Sequence, residues 1–147
     1  MRSKISTWFE TKVRYDKTME DGREKKVTEV FVVDALSFTE AETKITEELS
    51  AYTSGETFIK AITRTPYLVV IFSDDSKDDK WYRVKLAFIT LDERTNKEMK
   101  TLVTYLFQAA NIDKARSYIK EFMGESMCDC DVVSISETQV LDIFENE

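Results

Sequence analysis

The chain has 147 residues, of which 42% are hydrophobic, and its 28 acidic and 21 basic side chains give a net charge of −7. This length suits one domain or two small halves, and the negative charge disfavours general attraction to DNA or anionic membranes. Histidine is absent, which excludes Ser-His-Asp catalysis, Cys-His catalysis and His-ligated zinc sites.

Targeting signals are not evident. No apolar run approaches the length of a membrane span. The first residues lack the apolar core of a secretory signal. We therefore expect a cytoplasmic protein that does not bind membranes.

Two strands and a hairpin are predicted first. Residues 8–15 alternate between apolar and polar side chains, as in a half-buried strand. Gly22 follows an aspartate and marks the turn. Residues 26–35 are apolar on both faces, which predicts a central strand covered on both sides.

A capped helix is predicted next, within the segment 34–42. The spacing of Ser37 and Glu40 matches a capping box, in which the serine accepts the Glu40 N–H and the glutamate reaches back to the cap. Helically spaced apolar residues follow: Phe38, Ala41, Ile45, Leu49 and Tyr52. The helix is expected to end at Ser54-Gly55.

Two more strands and a linker complete the first half. Residues 58–63 and 67–72 are predicted strands, separated at Pro66. Residues 73–80 are predicted to be a solvated acidic linker. Its four aspartates lack the glycine and terminal glutamate of an EF-hand loop, so we expect no metal there: Asp74, Asp75, Asp78 and Asp79.

The second half repeats the first at offsets of 73 or 74 residues. Trp81 then corresponds to Trp8, and Asn96 corresponds to Gly22, both tolerant of a left-handed backbone. Asn111 is the expected cap of a second helix. At the end, an offset of 72 places residues 71–72 on residues 143–144.

This pattern predicts an α+β fold built from an internal duplication. Each unit is β-β-α-β-β, mainly antiparallel, with one helix packed on its sheet. The repeats are residues 7–72 and 81–146, joined by the acidic linker 73–80. A unit this short is marginal alone, so we expect the two to form one compact body.

The two cysteines are the first candidate site. Cys128 and Cys130 would share one face of a strand, but a tetrahedral metal site needs four ligands. We expect incidental thiols and no cofactor. A metal or redox site formed by two copies of the chain is the alternative.

A second candidate lies on the first strand of each repeat. Aromatic and basic residues alternate there, as on platforms that bind single-stranded nucleic acid by stacking and phosphate contact. The residues are Trp8, Lys12, Arg14, Trp81, Arg83 and Lys85. In the alternative interpretation, the tryptophans pack between the halves or in a dimer interface, and the cations pair with the acidic excess.

Several segments together resemble a known family: Trp8-Phe9-Glu10, Gly22, residues 33–42, residues 81–85 and Glu137-Thr138. The chain resembles a family of small uncharacterised proteins of similar length from bacteria and their phages. The resemblance covers essentially the whole chain. It implies such an origin but brings no activity or site.

The favoured function is a small interaction or regulatory module without catalytic activity, because no catalytic motif is recognisable. We expect a protein partner, with a homodimer as an alternative. Two other hypotheses stay open. The first is single-stranded nucleic-acid binding through the Trp/Lys faces, which the net charge disfavours. The second is an acidic mimic that inhibits a nucleic-acid-binding protein.

Overall fold

The computed structural model describes residues 1–53, 55–124 and 129–146. Over these residues the fold is α+β, with two mainly antiparallel sheets. In chain order the elements are β1 (Arg2–Ile5), β2 (Trp8–Thr18), β3 (Glu24–Asp34), α1 (Phe38–Leu49), β4 (Phe58–Arg64), β5 (Tyr67–Phe72), β6 (Lys80–Leu91), β7 (Glu98–Ala109), α2 (Ile112–Gly124), β8 (Cys130–Glu137) and β9 (Val140–Phe144). The predicted fold class is confirmed.

The chain divides into two compact units, each with one helix. The four-stranded unit comprises Ser6–Thr65 and the segment from Gln139, with the strand order β4-β2-β3-β9. The five-stranded unit comprises Met1–Ile5 and Pro66–Thr138, with the order β1-β5-β7-β6-β8. As the two-sided apolar pattern predicts, β3 is a central strand.

The apolar stripe of α1 forms the core of the four-stranded unit. Ala41, Ile45 and Leu49 are fully buried and share one cluster with apolar side chains of the sheet. That cluster includes Phe9, Val13, Phe31 and Val33. Full burial of one such large aliphatic side chain contributes roughly 1.5–3 kcal/mol, so this stripe fixes which face of the sheet the helix covers.

The core of the five-stranded unit is built in the same way. Ala115 and Ile119 of α2 are buried. Ile119 packs in a cluster that includes Leu86 and Phe107. Phe122 meets the rings of Tyr105 and Phe107 edge-on, at centroid distances of 5.8 and 5.9 Å. This edge-to-face geometry is a favourable one for aromatic pairs.

Both helix caps form, although one contact differs from the prediction. The Ser37 hydroxyl accepts the Glu40 N–H at 3.1 Å, and the Asn111 side chain accepts the Lys114 N–H at 2.8 Å. The Glu40 carboxylate, however, accepts the N–H of Leu36 at 3.1 Å, one residue before the cap. The helix ends at Leu49 rather than near Gly55.

The tips of the two long hairpins use the left-handed backbone that their sequences predict. Gly22 has φ of 82° and Asn96 has φ of 56°. Each N–H closes a tight turn, from Gly22 to the Met19 carbonyl at 3.0 Å and from Asn96 to the Asp92 carbonyl at 2.8 Å. Glycine and asparagine adopt this conformation at the lowest cost.

The last strand of each predicted repeat belongs to the sheet of the other unit. β5 pairs parallel with β7 in the five-stranded unit, and β9 pairs parallel with β3 in the four-stranded unit. The compact units are therefore not contiguous in sequence. The repeat boundaries, and the duplication itself, stay predictions about the sequence.

The two parallel pairs have matching registers. Val70 pairs with Leu106, and Ile143 pairs with Val32, so residue 70 corresponds to residue 143. The offset here is thus 73 residues. The predicted offset of 72 at the end of the chain was wrong by one residue, because Ile143-Phe144 resembles Ile71-Phe72 by composition but not by register.

Two features near β5 differ from the sequence interpretation. β1, which was not predicted, pairs antiparallel with β5; its four residues are mostly exposed and carry little apolar periodicity. The loop that follows β5 is not simply solvated, since Asp78 is only 2% exposed.

Asp78 fastens this loop to α2. It accepts a short hydrogen bond from the Ser73 hydroxyl and one of 2.5 Å from the Tyr118 hydroxyl. The Lys114 ammonium lies 3.9 Å from its other oxygen and 3.1 Å from Asp75. The Lys77 N–H and then Lys114 hold the pKa of Asp75 below its ordinary value.

The first cap supplies a stability prediction. Ser37→Ala should lower the free energy of unfolding by about 1 kcal/mol, because the Glu40 N–H loses its acceptor. Chemical denaturation measures this change. Thr46→Ala is the control: its hydroxyl bonds only the Glu42 carbonyl of its own helix, so no comparable loss is expected. Equal losses in both variants would contradict the capping role.

The pairing of β9, the last strand of the second predicted repeat, with β3 of the first supplies a second prediction. Ending the chain after Thr138 removes β9, so the amides of β3 should lose protection against hydrogen exchange. Those of β6 and β7 should keep it, because their own sheet stays complete. Hydrogen exchange followed by NMR distinguishes the strands. Loss of protection in β6 with β3 unchanged would rule out the exchanged pairing.

Candidate functional site

The two tryptophans of the predicted nucleic-acid platform are buried. Trp8 is 1% exposed and Trp81 is 2% exposed. The carbonyl of Trp8 accepts both the N–H and the hydroxyl of Thr65, at 2.9 and 2.8 Å. The Trp81 carbonyl accepts the same two groups of Thr138 at the same two distances. Neither indole is presented to a base, and both residues anchor a chain segment that ends one unit.

The basic residues predicted beside Trp81 differ in their surroundings. Arg83 is half-buried and donates to the Tyr67 hydroxyl from Nε at 3.3 Å and from Nη2 at 3.2 Å. Its guanidinium also lies 5.7 Å from the centre of that ring. Lys85 is exposed. Arg83 therefore bonds within its own unit, and Lys85 makes no hydrogen bond or ion pair with another described residue.

Lys12 and Arg14, in contrast, belong to an open surface of the four-stranded unit. Side chains alternate along β2, so both lie on the sheet face opposite Val13 and the helix. Across to β4, Lys12 pairs with Ala61 and Arg14 pairs with Phe58. The register shifts between these pairs, which leaves Lys60 as the extra residue of a β-bulge. Bulges reorient a side chain at a sheet edge.

A groove of about 400 Å³ opens at this place. Its lining carries cations, carboxylates and one exposed aromatic ring, and it includes Tyr15, whose side chain packs in the core on the other face. The lining residues are Arg14, Tyr15, Asp16, Lys26, Glu56, Phe58 and Lys60. Phe58 is 60% exposed. We call the outward cations with this ring the basic face, comprising Lys12, Arg14, Lys26, Phe58 and Lys60.

The cations of the basic face have no counter-ions among the described residues. The side chains of Lys12, Arg14, Lys26 and Lys60 make no hydrogen bond or ion pair with any other residue that the structure describes. Lys26 lies directly across from Asp16 in the β2–β3 ladder, and even this pair is not joined. Four cations without a partner in the described part of the chain therefore share one sheet face with an exposed aromatic ring.

A fixed polar cluster lies on the opposite face of the same sheet, because the Tyr15 side chain packs with Val13 on the helix side. The buried Tyr15 hydroxyl donates a short hydrogen bond to Glu29, and the Lys17 ammonium lies 3.3 Å from the other oxygen of that carboxylate. Burial raises the pKa of Tyr15, and the bond to Glu29 raises it further. The phenol therefore stays neutral at physiological pH and keeps its bond to Glu29.

The matching positions of the five-stranded sheet carry different chemistry. Ala87 pairs with Asp131 where Arg14 pairs with Phe58. Val133 is the bulged residue in β8, in the place of Lys60. Of the four cations of the basic face, only Lys12 and Lys26 have a cation at the matching position of the five-stranded sheet, namely Lys85 and Lys100. The basic face is thus particular to the four-stranded unit.

Sequence reasoning found Lys12 and Arg14 but missed the residues that complete the groove: Asp16, Lys26, Glu56, Phe58 and Lys60. One signal was available. At an offset of 73, Phe58 corresponds to Asp131 and Lys60 corresponds to Val133. At both of these outward positions of β4, the type of side chain differs between the two predicted repeats.

The structure describes one of the two cysteines. Cys130 is half-buried, and Cys128 lies outside the described residues. Among the residues that the structure describes, no three His, Cys, Asp or Glu side chains come together as metal ligands. Whether two copies of the chain form such a site stays a prediction.

Tyr15→Phe tests the hydrogen bond between Tyr15 and Glu29. At neutral pH the variant should lose about 1.5 kcal/mol of stability, because a half-buried carboxylate loses a donor. Because the pKa is raised in the folded state, the neutral phenol stabilises that state fully below pH 10.0, the ordinary pKa of tyrosine. This contribution is lost as the pH rises further, through the pKa of the folded state. The difference between wild type and variant should therefore narrow in alkaline denaturation experiments. A constant difference would contradict the pKa assignment.

Comparison with known families identifies the chain. A family model described as a domain of unknown function, DUF4494, matches residues 7–146, so the chain belongs to the DUF4494 family. No curated protein matches it. In the part of the chain that the structure describes, neither helix has the length and apolarity to cross a membrane. The expected membership of an uncharacterised family is confirmed, and the bacterial or phage origin stays a prediction.

Proposed function

We propose that this member of the DUF4494 family is a non-catalytic binding module that holds single-stranded nucleic acid on the basic face. One observation carries the proposal: four exposed cations, none of them bonded to another residue that the structure describes, share one sheet face with an exposed phenylalanine. This arrangement supports the nucleic-acid alternative of the sequence analysis, but at a different set of residues from the tryptophan platforms.

The cations supply the contacts to phosphate. An exposed cation without an internal ion pair gives up little when it meets a phosphate, and the binding releases counter-ions from the nucleic acid. Arg14 adds geometry, because a guanidinium donates two parallel hydrogen bonds to one phosphate group. Lys12 and Arg14 are two residues apart on one strand, so their side chains project to the same side.

Phe58 supplies the contact that distinguishes a base from other anionic groups. Its ring is 60% exposed and lies across the ladder from Arg14. A base stacked on an aromatic side chain contributes roughly 1–3 kcal/mol. Stacking needs an unpaired base, so the surface favours single strands over duplexes.

The net charge of −7 is consistent with this assignment. At physiological salt the screening length is about 8 Å, so a bound phosphate interacts mainly with the local charges, which are the cations of the basic face and the groove carboxylates Asp16 and Glu56. Distant acidic residues reduce the rate of encounter rather than the strength of the local contacts. Binding should accordingly be of moderate affinity and sensitive to salt.

The other hypotheses from the sequence make different demands on these residues. An acidic protein partner would use the same cations but would gain little from stacking on Phe58. An acidic mimic would act through carboxylates, so the basic face would not matter. The regulatory module and the mimic stay predictions, and the response to Phe58 substitution separates them from nucleic-acid binding.

The test measures binding of fluorescent single-stranded oligonucleotides by anisotropy across a salt series. Arg14→Ala and Lys60→Ala should each weaken binding and reduce the slope of log K against log salt by about 0.7. Phe58→Ala should weaken binding about 5- to 150-fold without changing that slope.

Lys85→Ala is the matched control, because Lys85 occupies the position of Lys12 on the other sheet. It should leave binding unchanged. Absence of binding at low salt, or equal losses in Lys85→Ala and Arg14→Ala, would overturn the proposal. Tighter binding to duplexes than to single strands would also contradict it.

A further inference from the structure

We infer that the groove beside Phe58 is a nucleotide pocket that selects bases with an exocyclic amino group, and that Asp16 and Glu56 make the selection. This inference rests on the proposed function, since it assigns base preference to the same surface. It concerns the two carboxylates of the groove, which phosphate binding alone does not explain.

The groove has the dimensions of a nucleotide site. Its volume of about 400 Å³ lies within the range of roughly 300–1,000 Å³ that is typical of small-molecule pockets. Phe58 forms one side, and the cations Arg14, Lys26 and Lys60 are placed around it. A base on the ring therefore has its phosphate near cations, and its edge remains open to the other groups of the groove.

Asp16 and Glu56 are those other groups. Both are exposed, and neither carboxylate makes a hydrogen bond or ion pair with any residue in the described part of the chain. Carboxylates on a surface that binds polyanions weaken phosphate attraction. Their presence inside the groove is explained if they accept hydrogen bonds from the ligand.

The chemistry of a carboxylate defines which bases fit. An ionised carboxylate only accepts hydrogen bonds, and aspartate or glutamate accepts from the N4 amino group of cytosine. Adenine and guanine also carry an exocyclic amino group. Thymine and uracil carry carbonyl oxygens there, which a carboxylate repels. The pocket should therefore discriminate against thymine and uracil.

The other sheet shows that this combination is not a general property of the strands. In the five-stranded sheet, Ile89 occupies the position that matches Asp16, because Ile89 pairs with Lys100 as Asp16 pairs with Lys26. Asp131 replaces the stacking ring. The ring and its neighbouring acceptor in β2 occur together only in the four-stranded unit.

The experiment compares oligo(dC) with oligo(dT) of equal length at one salt concentration. Wild-type protein should bind oligo(dC) at least about fivefold more tightly, the discrimination expected from one good side-chain–base contact. Asp16→Asn and Glu56→Gln keep the side-chain size but add a donor, so the dC/dT ratio should fall towards one in at least one variant. Lys12→Ala is the control that should weaken both ligands equally.

The outcomes separate the two proposals. Equal wild-type affinity for oligo(dC) and oligo(dT) would overturn the base selection and leave nucleic-acid binding intact. A dC/dT ratio that survives both substitutions would overturn the roles of Asp16 and Glu56. Binding of neither oligonucleotide would overturn the proposed function itself. Competition by cytidine monophosphate, but not by thymidine monophosphate, would support the pocket independently of the strand.

Discussion

The parallel pairing of β5 with β7 and of β9 with β3 is the constraint on which the fold depends. Each sheet obtains a parallel strand from the other predicted repeat, so neither unit is complete until both repeats have been made. The threonine contacts to the carbonyls of Trp8 and Trp81 fix the chain where it leaves each unit. Such long-range pairings are formed late and slowly in folding, because a large loop must close before they contribute.

Against this shared architecture, the basic face stands out as a local difference. The two sheets have corresponding registers and a bulge at the same place, so the backbone does not create the groove by itself. The difference lies in the side chains, with Arg14, Phe58 and Lys60 in one sheet and Ala87, Asp131 and Val133 in the other. The proposed function therefore assigns nucleic-acid binding to the four-stranded unit.

The parts of the fold that depend on neighbouring residues could be predicted from sequence. The caps at Ser37 and Asn111 depend on residues three positions apart, and the turn at Gly22 needs only a residue that tolerates positive φ. The partner of β5 could not be predicted, because an apolar run such as residues 67–72 indicates a buried strand without saying which strand it pairs with.

The groove was missed for the same reason: it exists only when β2 and β4 are in register, with Lys60 bulged. The platform hypothesis required Trp8 to lie on an open face because it alternates with Lys12, and the alternative was that it is packed. Alternation cannot decide between them, since burial depends on the surrounding structure.

The two tryptophans have a practical consequence beyond packing. They are the only two in the chain, they are equally buried, and each belongs to a different unit. The fluorescence of each indole therefore reports on the folding of its own unit. With one tryptophan replaced by phenylalanine at a time, fluorescence follows the loss of each unit separately. Coincident transitions would indicate that the exchanged strands make the protein a single cooperative system, and separate ones would reveal a partly folded intermediate.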